Sequence, residues 1–414
     1  MLFFTHSLFP ATRHHTQKFF KISYYNPTTG TFALGWDDIF FVFYWIIVFT
    51  GVRCGVIDYA LIPTAARLGV DGRKKRIRFA EQAWILIYPT ASWCTGMYIL
   101  YNSDYWLDLH ALWRNWPVRE MDGLAKWYYL VQFAFWLQQI VVVNIEERRK
   151  DYAQMFTHHV ITCALIFASY GYHQTRVGTL ILCLMDVVDL FLPLAKMLKY
   201  LKFGLPCDIT FGIFMVTWFI ARHVFYGWVC WSVYAHIPQE IRYGCYKGSV
   251  ETLQGPLPVP NDWDHLTQPF RDPEGLVCWN NNTKWAFLGG LLALQVVLLI
   301  WFTMILKVAY KVLSGQSAED VRSDDEDGED EKEDIIEKAH MCVEPQAFLE
   351  KDVLSTETNM TFQTSAKKGN HTPNGSRPPS KRRNENGHSS GVNLLAHSDR
   401  KDLLGRIGCD KGVE

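Results

Sequence analysis

Apolar residues in the first 312 positions come in runs that are long enough to cross a bilayer, separated by polar segments. A helix rises about 1.5 Å per residue, so about 20 apolar residues span a hydrocarbon core of about 30 Å. Trp and Tyr crowd the ends of these runs, as at membrane interfaces, which disfavours a soluble helical protein. The pattern predicts an all-α, polytopic membrane protein with seven transmembrane helices, over Asp38–Ile62, Ala80–Tyr101, Trp127–Ile145, Met155–Tyr172, Val177–Lys199, Ile209–Tyr234 and Lys284–Tyr310.

Beyond position 312 the sequence changes to Ser, Gly, Asn and charged residues, with an acidic run from Glu319 to Asp334. Too little apolar surface remains there to offset the chain entropy lost on folding. We therefore divide the chain into an N-terminal segment, 1–37, a transmembrane domain, 38–312, and a disordered tail, 313–414. In the tail, Ser317 and Ser323 precede acidic residues in the spacing that acidophilic kinases phosphorylate, a spacing that also caps helices.

The orientation of the helices follows from the basic residues in their connecting loops, because such residues tend to stay cytosolic. The first, third and fifth loops are basic, and the second, fourth and sixth are less so for their length. This predicts a lumenal N-terminus and a cytosolic C-terminus, although Arg13, Lys18 and Lys21 oppose it. In the sixth loop, then lumenal, Cys245 and Cys278 can form a disulfide or remain thiols.

Composition narrows the class of function. The chain has 414 residues, 49% hydrophobic and 15% aromatic, with a formal net charge of -1, so bulk charge favours neither a nucleic-acid partner nor an acidic substrate. Its ten cysteines contain no CxxC pair, which disfavours a thiolate metal site. The local polar groups inside the apolar runs are therefore the informative ones.

Ionisable residues inside membrane helices are functional candidates, because burying them is costly. His158 and His159 are adjacent in the fourth span, and Asp186 and Asp189 are three apart in the fifth, which places both carboxylates on one helix face. The short connection between these spans predicts antiparallel neighbours. Counting about 1.5 Å per residue from the cytosolic ends, the imidazoles lie about 12 Å deep and Asp189 about 15 Å deep. The two pairs should therefore meet.

An imidazole oriented by a carboxylate is a general base or a nucleophile, which is half of an acyl-transfer site. Two alternatives stay open. The same residues can form a structural polar network between helices. Two His and two Asp also match the ligand count of zinc or iron, although the HxxxH and HxxHH clusters of membrane di-iron enzymes are missing.

Further basic groups flank this site. Arg222 and His223 lie in the sixth span, where Arg222 either pairs with an acidic residue or binds a substrate oxygen. Arg148, Arg149 and Lys150 precede the histidines and suit an anionic, phosphate-bearing cosubstrate, although cytosolic anchoring explains them equally well.

The segment Arg149–Tyr200, with "FTHHV" and "MDVVDLFLPLAKMLKY", resembles the Lag1 motif of ceramide synthases, within the broader TRAM/Lag/CLN8 (TLC) membrane domain. Asp151, the double His and the DxxD all match, and "GWDDIFFVFYWIIVFTGVRCGVIDY" resembles the first helix of the fungal branch. The homeobox-like insertion of many animal members is absent. A His before the first Asp and a Glu after the second are also missing, but neither change touches the double His or the DxxD.

The resemblance implies a multi-pass enzyme of the endoplasmic reticulum that transfers the acyl group of a fatty acyl-CoA to the amine of a sphingoid base and releases CoA, with no other cofactor. It implies His158, His159, Asp186 and Asp189 as the catalytic residues. In this interpretation His158 is the nucleophile or base, Asp189 orients it, and His159 or Asp186 places the amine. A non-enzymatic lipid sensor and a metal-dependent lipid hydroxylase or hydrolase are the alternatives. The sequence leaves open the acyl-chain length, direct or two-step transfer, a homo- or heterodimer, and a small regulatory subunit.

Overall fold

The structure is a computed structural model, and it describes residues 2–145, 151–272 and 274–314. Arg148, Arg149, Lys150, Ser317, Ser323 and nearly all of the predicted tail lie outside the described residues. The helices are α1 (Leu2–Leu8), α2 (Arg13–Phe20), α3 (Asp38–Arg67), α4 (Arg73–Tyr101), α5 (Gly123–Ile145), α6 (Tyr152–Gly171), α7 (Thr175–Tyr200), α8 (Gly204–Ala235), α9 (Ile237–Glu240), α10 (Gln268–Arg271) and α11 (Asn281–Leu313). The strands are β1 (Phe32–Ala33), β2 (Glu120–Met121), β3 (Gly244–Lys247), β4 (Gln254–Leu257) and β5 (Val277–Trp279).

Each of the seven predicted spans coincides with a long helix, α3 to α8 and α11, and only the fourth runs one residue past its helix. Five of them, α3, α5, α7, α8 and α11, are long and apolar enough to cross a membrane by length and composition. In the other two, polar residues lower the mean hydropathy: α4 starts in a basic stretch, and α6 carries the double His. The chain is a multi-pass helical membrane protein.

Six of these helices form a closed ring. Going round it, α4 packs on α5, α5 on α6, α6 on α11, α11 on α8, α8 on α7, and α7 again on α4. Helix α3 stands outside the ring and packs on α5. The largest group of buried apolar side chains lies among α6, α7, α8 and α11, which places the core inside the ring.

The predicted pairing of the fourth and fifth spans is wrong in one respect. The two helices, α6 and α7, are joined by a short turn, but α6 contacts chiefly α5 and α11, whereas α7 contacts chiefly α4 and α8. They therefore face each other across the ring instead of packing along their length. A ring of six helices permits this separation because consecutive helices need to be close only at the turn that joins them.

Local backbone geometry ends α6 and shapes α7. After α6, His173 adopts a left-handed conformation with φ of 55°, and the amide of Gln174 donates to the carbonyl of Ser169 at 2.7 Å, a typical helix C-cap. Helix α7 tightens to a 3-10 turn at Val187–Leu190, and α8 widens to a π turn at Ile220–Phe225. Such irregular turns often mark functional sites.

One end of the bundle, which we call the capped end, carries the N-terminal segment and the loops 102–122 and 236–280. Strand β1 pairs with β2, and the indole nitrogen of Trp36 donates to the carbonyl of Arg271 at 2.7 Å. In the predicted topology this end is lumenal. The N-terminal segment, the second loop and the sixth loop thus share one side, as that topology requires.

The sixth loop is held by a small antiparallel sheet with the order β4-β3-β5. Cys245 lies opposite Cys278 in this sheet, and the two form a disulfide, so of the two states left open by the sequence the bonded one is found. Arg119 ties the sheet to the bundle: it donates to the carbonyls of Tyr246 at 3.1 Å and Gly275 at 2.9 Å.

Candidate active site

The two histidines lie on the inner side of α6, buried against aromatic rings. His158 is 6% exposed and His159 is 7% exposed. The ring of Trp136, from α5, lies 5.5 Å from the imidazole of His158 and 5.3 Å from that of His159, and Trp301, from α11, lies 5.2 Å from His158. Three helices of the ring therefore hold the pair in the interior, away from lipid.

A chamber of about 250 Å³ opens beside the imidazoles. Most of its apolar wall comes from α8 and α11 and includes Phe211, Phe214 and Met304. Its polar lining consists of His158, His159, Asp189, Lys196, Lys199, Asp208 and Arg222. The site thus combines two imidazoles, three cationic side chains and two carboxylates with a largely apolar wall.

Asp189 pairs with Arg222 in the wall of this chamber. The guanidinium Nη2 of Arg222 donates to Oδ1 of Asp189 at 2.9 Å and to the carbonyl of Met185 at 3.0 Å, and the guanidinium stacks 4.1 Å from the ring centre of Trp218. Of the two roles open for Arg222, the geometry favours pairing with an acidic residue. The 3-10 turn of α7 and the π turn of α8 bring these two side chains together.

Asp186 is directed away from the chamber despite its spacing from Asp189. Its Oδ2 accepts hydrogen bonds from Ser92 of α4 and Gln132 of α5, each at 2.7 Å, and Tyr88 donates to Gln132 at 2.8 Å. At 5% exposed it forms the centre of a buried network between three helices. This arrangement is the one expected of a structural carboxylate.

The expected hydrogen bond between an imidazole and an aspartate is not formed within the described residues. Nδ1 of His158 and both ring nitrogens of His159 are buried there without a hydrogen-bond partner. The physical reason is that Arg222 and the Ser92 network already engage the two carboxylates, and α6 and α7 stand on opposite sides of the ring. These imidazole nitrogens therefore keep unused hydrogen-bonding capacity beside the chamber.

A narrow apolar cavity, which we call the channel, adjoins the chamber on the side of the capped end. Its free volume is about 60 Å³, and Trp136 and His158 line both the chamber and the channel. The rest of the channel wall includes Leu165 from α6, Val177 from α7 and Leu291 from α11, and it reaches Trp279 of the capping sheet. His158 therefore stands where a polar chamber meets an apolar channel.

Sequence reasoning missed several groups that line the chamber. The indole nitrogens of Trp136, Trp218 and Trp301 are buried without a hydrogen-bond partner among the described residues. These three tryptophans lie well inside their helices, whereas most membrane tryptophans lie at helix ends. That position is the signal that could have identified them. Lys196 and Lys199, which also line the chamber, were not predicted as site residues either.

Other predicted site residues lie elsewhere. His223 accepts a hydrogen bond from Gln295 at 2.6 Å and does not line the chamber described above. Asp151 is 1% exposed and immediately precedes α6, where its carbonyl accepts the amide of Met155 at 3.0 Å. Among the described residues, no group of three or more His, Cys, Asp or Glu is arranged to hold a metal ion.

The family model of the TLC domain matches residues 78–307, which is more than half of the chain. The chain belongs to the TLC-domain family. In this TLC-domain protein the match covers most of the helical part. The segment with the Lag1 resemblance lies within the matched residues.

Curated relatives of this TLC-domain protein bear consistent names. It is 49% identical to the sphingosine N-acyltransferase-like protein ALT7 of Alternaria alternata, over 74% of this chain and 71% of the relative. It is 46% identical to the ceramide synthase FUM18 of Gibberella moniliformis, over 80% and 77%. It is 34% identical to the ceramide synthase LAG1 of Saccharomyces cerevisiae, over 77% and 72%. The resemblance to ceramide synthases is confirmed.

Proposed function

We propose that this protein is a ceramide synthase, which transfers the acyl group of a fatty acyl-CoA to the amine of a sphingoid long-chain base. The observation that carries the proposal is the position of His158 at the junction of chamber and channel. An acyl-CoA has a polar, anionic head and an apolar tail joined at a thioester. A site with the same division along its length suits that substrate.

The chamber offers the groups that the CoA head requires. Lys196 and Lys199 line it, and cationic side chains favour the phosphates of CoA. Arg148, Arg149 and Lys150, which precede α6 in the sequence, remain candidates for the same role. The channel, walled by apolar side chains, would hold the acyl chain, so its length would limit the acyl chains accepted.

In the proposed reaction, His158 acts on the thioester at the mouth of the channel. The amine of the sphingoid base attacks the thioester carbon, the C–N bond forms, and the C–S bond breaks. His158 takes the proton lost by the amine and returns a proton to the departing CoA thiolate. If the imidazole first accepts the acyl group itself, the same bonds are exchanged in two steps.

Charge develops on the carbonyl oxygen during this step, and fixed hydrogen-bond donors stabilise it. The unpartnered indole nitrogens of Trp136 and Trp301 are donors on either side of His158. We assign them this role. His159 then helps to orient the amine, and the Asp189–Arg222 pair keeps the chamber wall in place.

The proposal includes a cellular context. The protein would lie in the endoplasmic reticulum membrane with the capped end lumenal and the tail cytosolic, so that acyl-CoA enters from the cytosol. Acyl-CoA serves as cosubstrate, with no resident cofactor. Phosphorylation at Ser317 or Ser323, dimerisation and a small regulatory subunit stay predictions.

The test is reconstitution of the purified protein with acyl-CoAs of graded length and several long-chain bases, with the amides identified by mass spectrometry. The wild-type protein should form ceramide, and His158→Ala should form none, because the base or nucleophile is gone. His15→Ala, on the exposed helix α2, is the matched control and should retain activity. Ceramide formation by His158→Ala at the wild-type rate would refute the assignment.

A further inference from the structure

A second cavity lies outside the ring, in a groove between α3, α5 and α6, with a free volume of about 290 Å³. Val42, Leu130 and Phe133 are among its apolar walls. Ile39 and Phe43 also line it and are 55% and 58% exposed, so the groove communicates with the lipid around the bundle. This groove has no part in the reaction proposed above.

The end of the groove holds a buried carboxylate. Asp38, which is 2% exposed and lines the groove, accepts hydrogen bonds at Oδ2 from the Gly35 amide at 3.0 Å and the Tyr170 hydroxyl at 2.6 Å. Its other oxygen, Oδ1, is buried without a hydrogen-bond partner among the described residues. Unsatisfied buried acceptors are rare in proteins, so a donor from outside the chain is expected there.

A buried lysine beside Asp38 determines whether an external donor should be charged or neutral. Nζ of Lys126, which is fully buried, lies 2.8 Å from Oδ2 of Asp38. The same nitrogen donates to the carbonyls of Ser23 at 3.0 Å and Ala33 at 2.6 Å, so its three protons are engaged. The pair is already neutral overall. A second cation or an anion would leave a net charge in an apolar site, whereas a neutral donor would not.

The groove is also close to the channel. Tyr129 and Ile166 line both cavities, so the groove lies directly behind the channel wall. Along α6, Tyr170 is twelve residues from His158, which is about 18 Å at 1.5 Å per residue. The occupant would therefore lie next to the acyl chain but far from the reacting atoms.

We propose that this groove binds ceramide, the product of the proposed reaction, with a hydroxyl or amide N–H on Oδ1 of Asp38 and an alkyl chain between α3 and α5. The inference rests on the proposed function for the choice of ceramide among neutral lipids. Ceramide is uncharged, carries several donors at its head, and would be released beside the groove. Sphingoid bases are cationic and fatty acids anionic, so both fit the neutral pair poorly.

The experiment is photo-crosslinking of the purified full-length protein with a ceramide that carries a diazirine in its chain, followed by mapping of the labelled peptides. Labelling should concentrate in α3 and α5. Ile46→Trp fills the groove from α3, and it should reduce this labelling about tenfold or more. Ile47→Trp places the same ring on the neighbouring residue, which is 55% exposed, and should label like the wild type.

Competition identifies the headgroup chemistry without any substitution that risks misfolding. Unlabelled ceramide should compete, and sphinganine, a fatty acid and a ceramide with methylated hydroxyls and amide should not. Equal competition by diacylglycerol would overturn the choice of ceramide. Equal labelling of Ile46→Trp and Ile47→Trp would overturn the site itself.

The two proposals fail separately. Labelling is measured in His158→Ala as well as in the wild type, and the groove should bind ceramide in both. If no ceramide is synthesised but the groove still labels, the proposed function fails and the binding site stands. If ceramide is synthesised but Ile46→Trp does not change the labelling, only the groove inference fails.

Discussion

Asp189 and Arg222 form an ion pair whose two members differ in burial. The side chain of Arg222 is 6% exposed, and that of Asp189 is 38% exposed toward the chamber. A buried guanidinium without its counter-ion is strongly destabilising, whereas a partly exposed carboxylate tolerates the loss of its partner better. The ion pair is therefore needed more to neutralise the buried Arg222 than to stabilise Asp189.

This asymmetry predicts the effect of Asp189→Asn. The amide keeps a hydrogen bond to Arg222 but removes the neutralising charge, so we expect a loss of about 2 kcal/mol, below the 3–5 kcal/mol of fully buried pairs. Thermal unfolding in detergent measures it. Asp208→Asn removes a carboxylate that lines the same chamber without pairing to Arg222 within the described residues, and should change stability little. Equal losses for the two variants would contradict the assignment.

The indole nitrogens beside His158 give a second prediction. Trp136→Phe and Trp301→Phe keep an aromatic ring but remove the hydrogen-bond donor, so each should lower kcat with little change in KM. The loss should be about 100-fold for the variant whose indole nitrogen contacts the oxyanion. Steady-state kinetics with one acyl-CoA separates the two constants. Trp228→Phe, which changes a residue 56% exposed on α8, is the control. A rise in KM with unchanged kcat would assign the rings to binding only.

Individual side-chain roles were only partly predictable from the sequence. The double His was identifiable because two imidazoles in an apolar run are costly. The separation of Asp186 from the chamber was not, because spacing fixes the helix face but Ser92 and Gln132, distant in sequence, decide which neighbour the carboxylate meets. Hydropathy does not encode such long-range partners.

The turn between α6 and α7 depends on a neutral imidazole. Nη1 of Arg119 lies 3.0 Å from Nε2 of His173, and since a guanidinium only donates, the imidazole accepts and is uncharged. Burial, and then the charge of Arg119, lower the pKa of His173 to about 3. This contact lies at the capped end, outside the membrane-spanning helices.

The lowered pKa makes stability depend on pH. Above about pH 6.5, His173 is neutral in both states, and below it only the unfolded chain takes up the proton, so stability falls as the pH falls toward about 3. At pH 5 the loss should reach about 2 kcal/mol. His173→Gln retains an acceptor for Arg119 and should flatten this slope. Unfolding midpoints of the wild type and His173→Gln, measured between pH 7 and pH 5, test this prediction. The same dependence of the midpoint on pH in both proteins would contradict it.

The positions of the helices in the sequence were predicted better than the way the helices pack on one another. The bilayer sets the length of an apolar run, so all seven spans were readable from the sequence alone. Which helices pack together was not readable, because α6 and α7 share a turn yet stand across the ring. The contact surfaces of α4, α5, α8 and α11 decide that order, and they combine residues from distant parts of the chain.

The chamber and the channel adjoin each other inside the ring, and we interpret them as one path for the proposed substrate. It begins at the lysines of α7, passes His158, and ends under the capping sheet at Trp279. The disulfide between Cys245 and Cys278 holds that sheet, so the closed end of the path is built from a crosslinked element. If an acyl chain fills the channel up to this sheet, the position of the sheet limits the length of the chain.

This architecture predicts a change of acyl-chain preference when the channel is shortened. Leu291, on α11, lines the channel, so Leu291→Trp should block its far part and lower the use of long acyl-CoAs while shorter ones still react. Leu292→Trp places the same ring on the lipid-facing neighbour, which is 47% exposed, and should leave the preference unchanged. Product profiles from mixed acyl-CoAs, normalised to protein, provide the measurement. A uniform fall for all chain lengths in Leu291→Trp would mean that the acyl chain lies elsewhere, because a blocked channel discriminates by length and general damage does not.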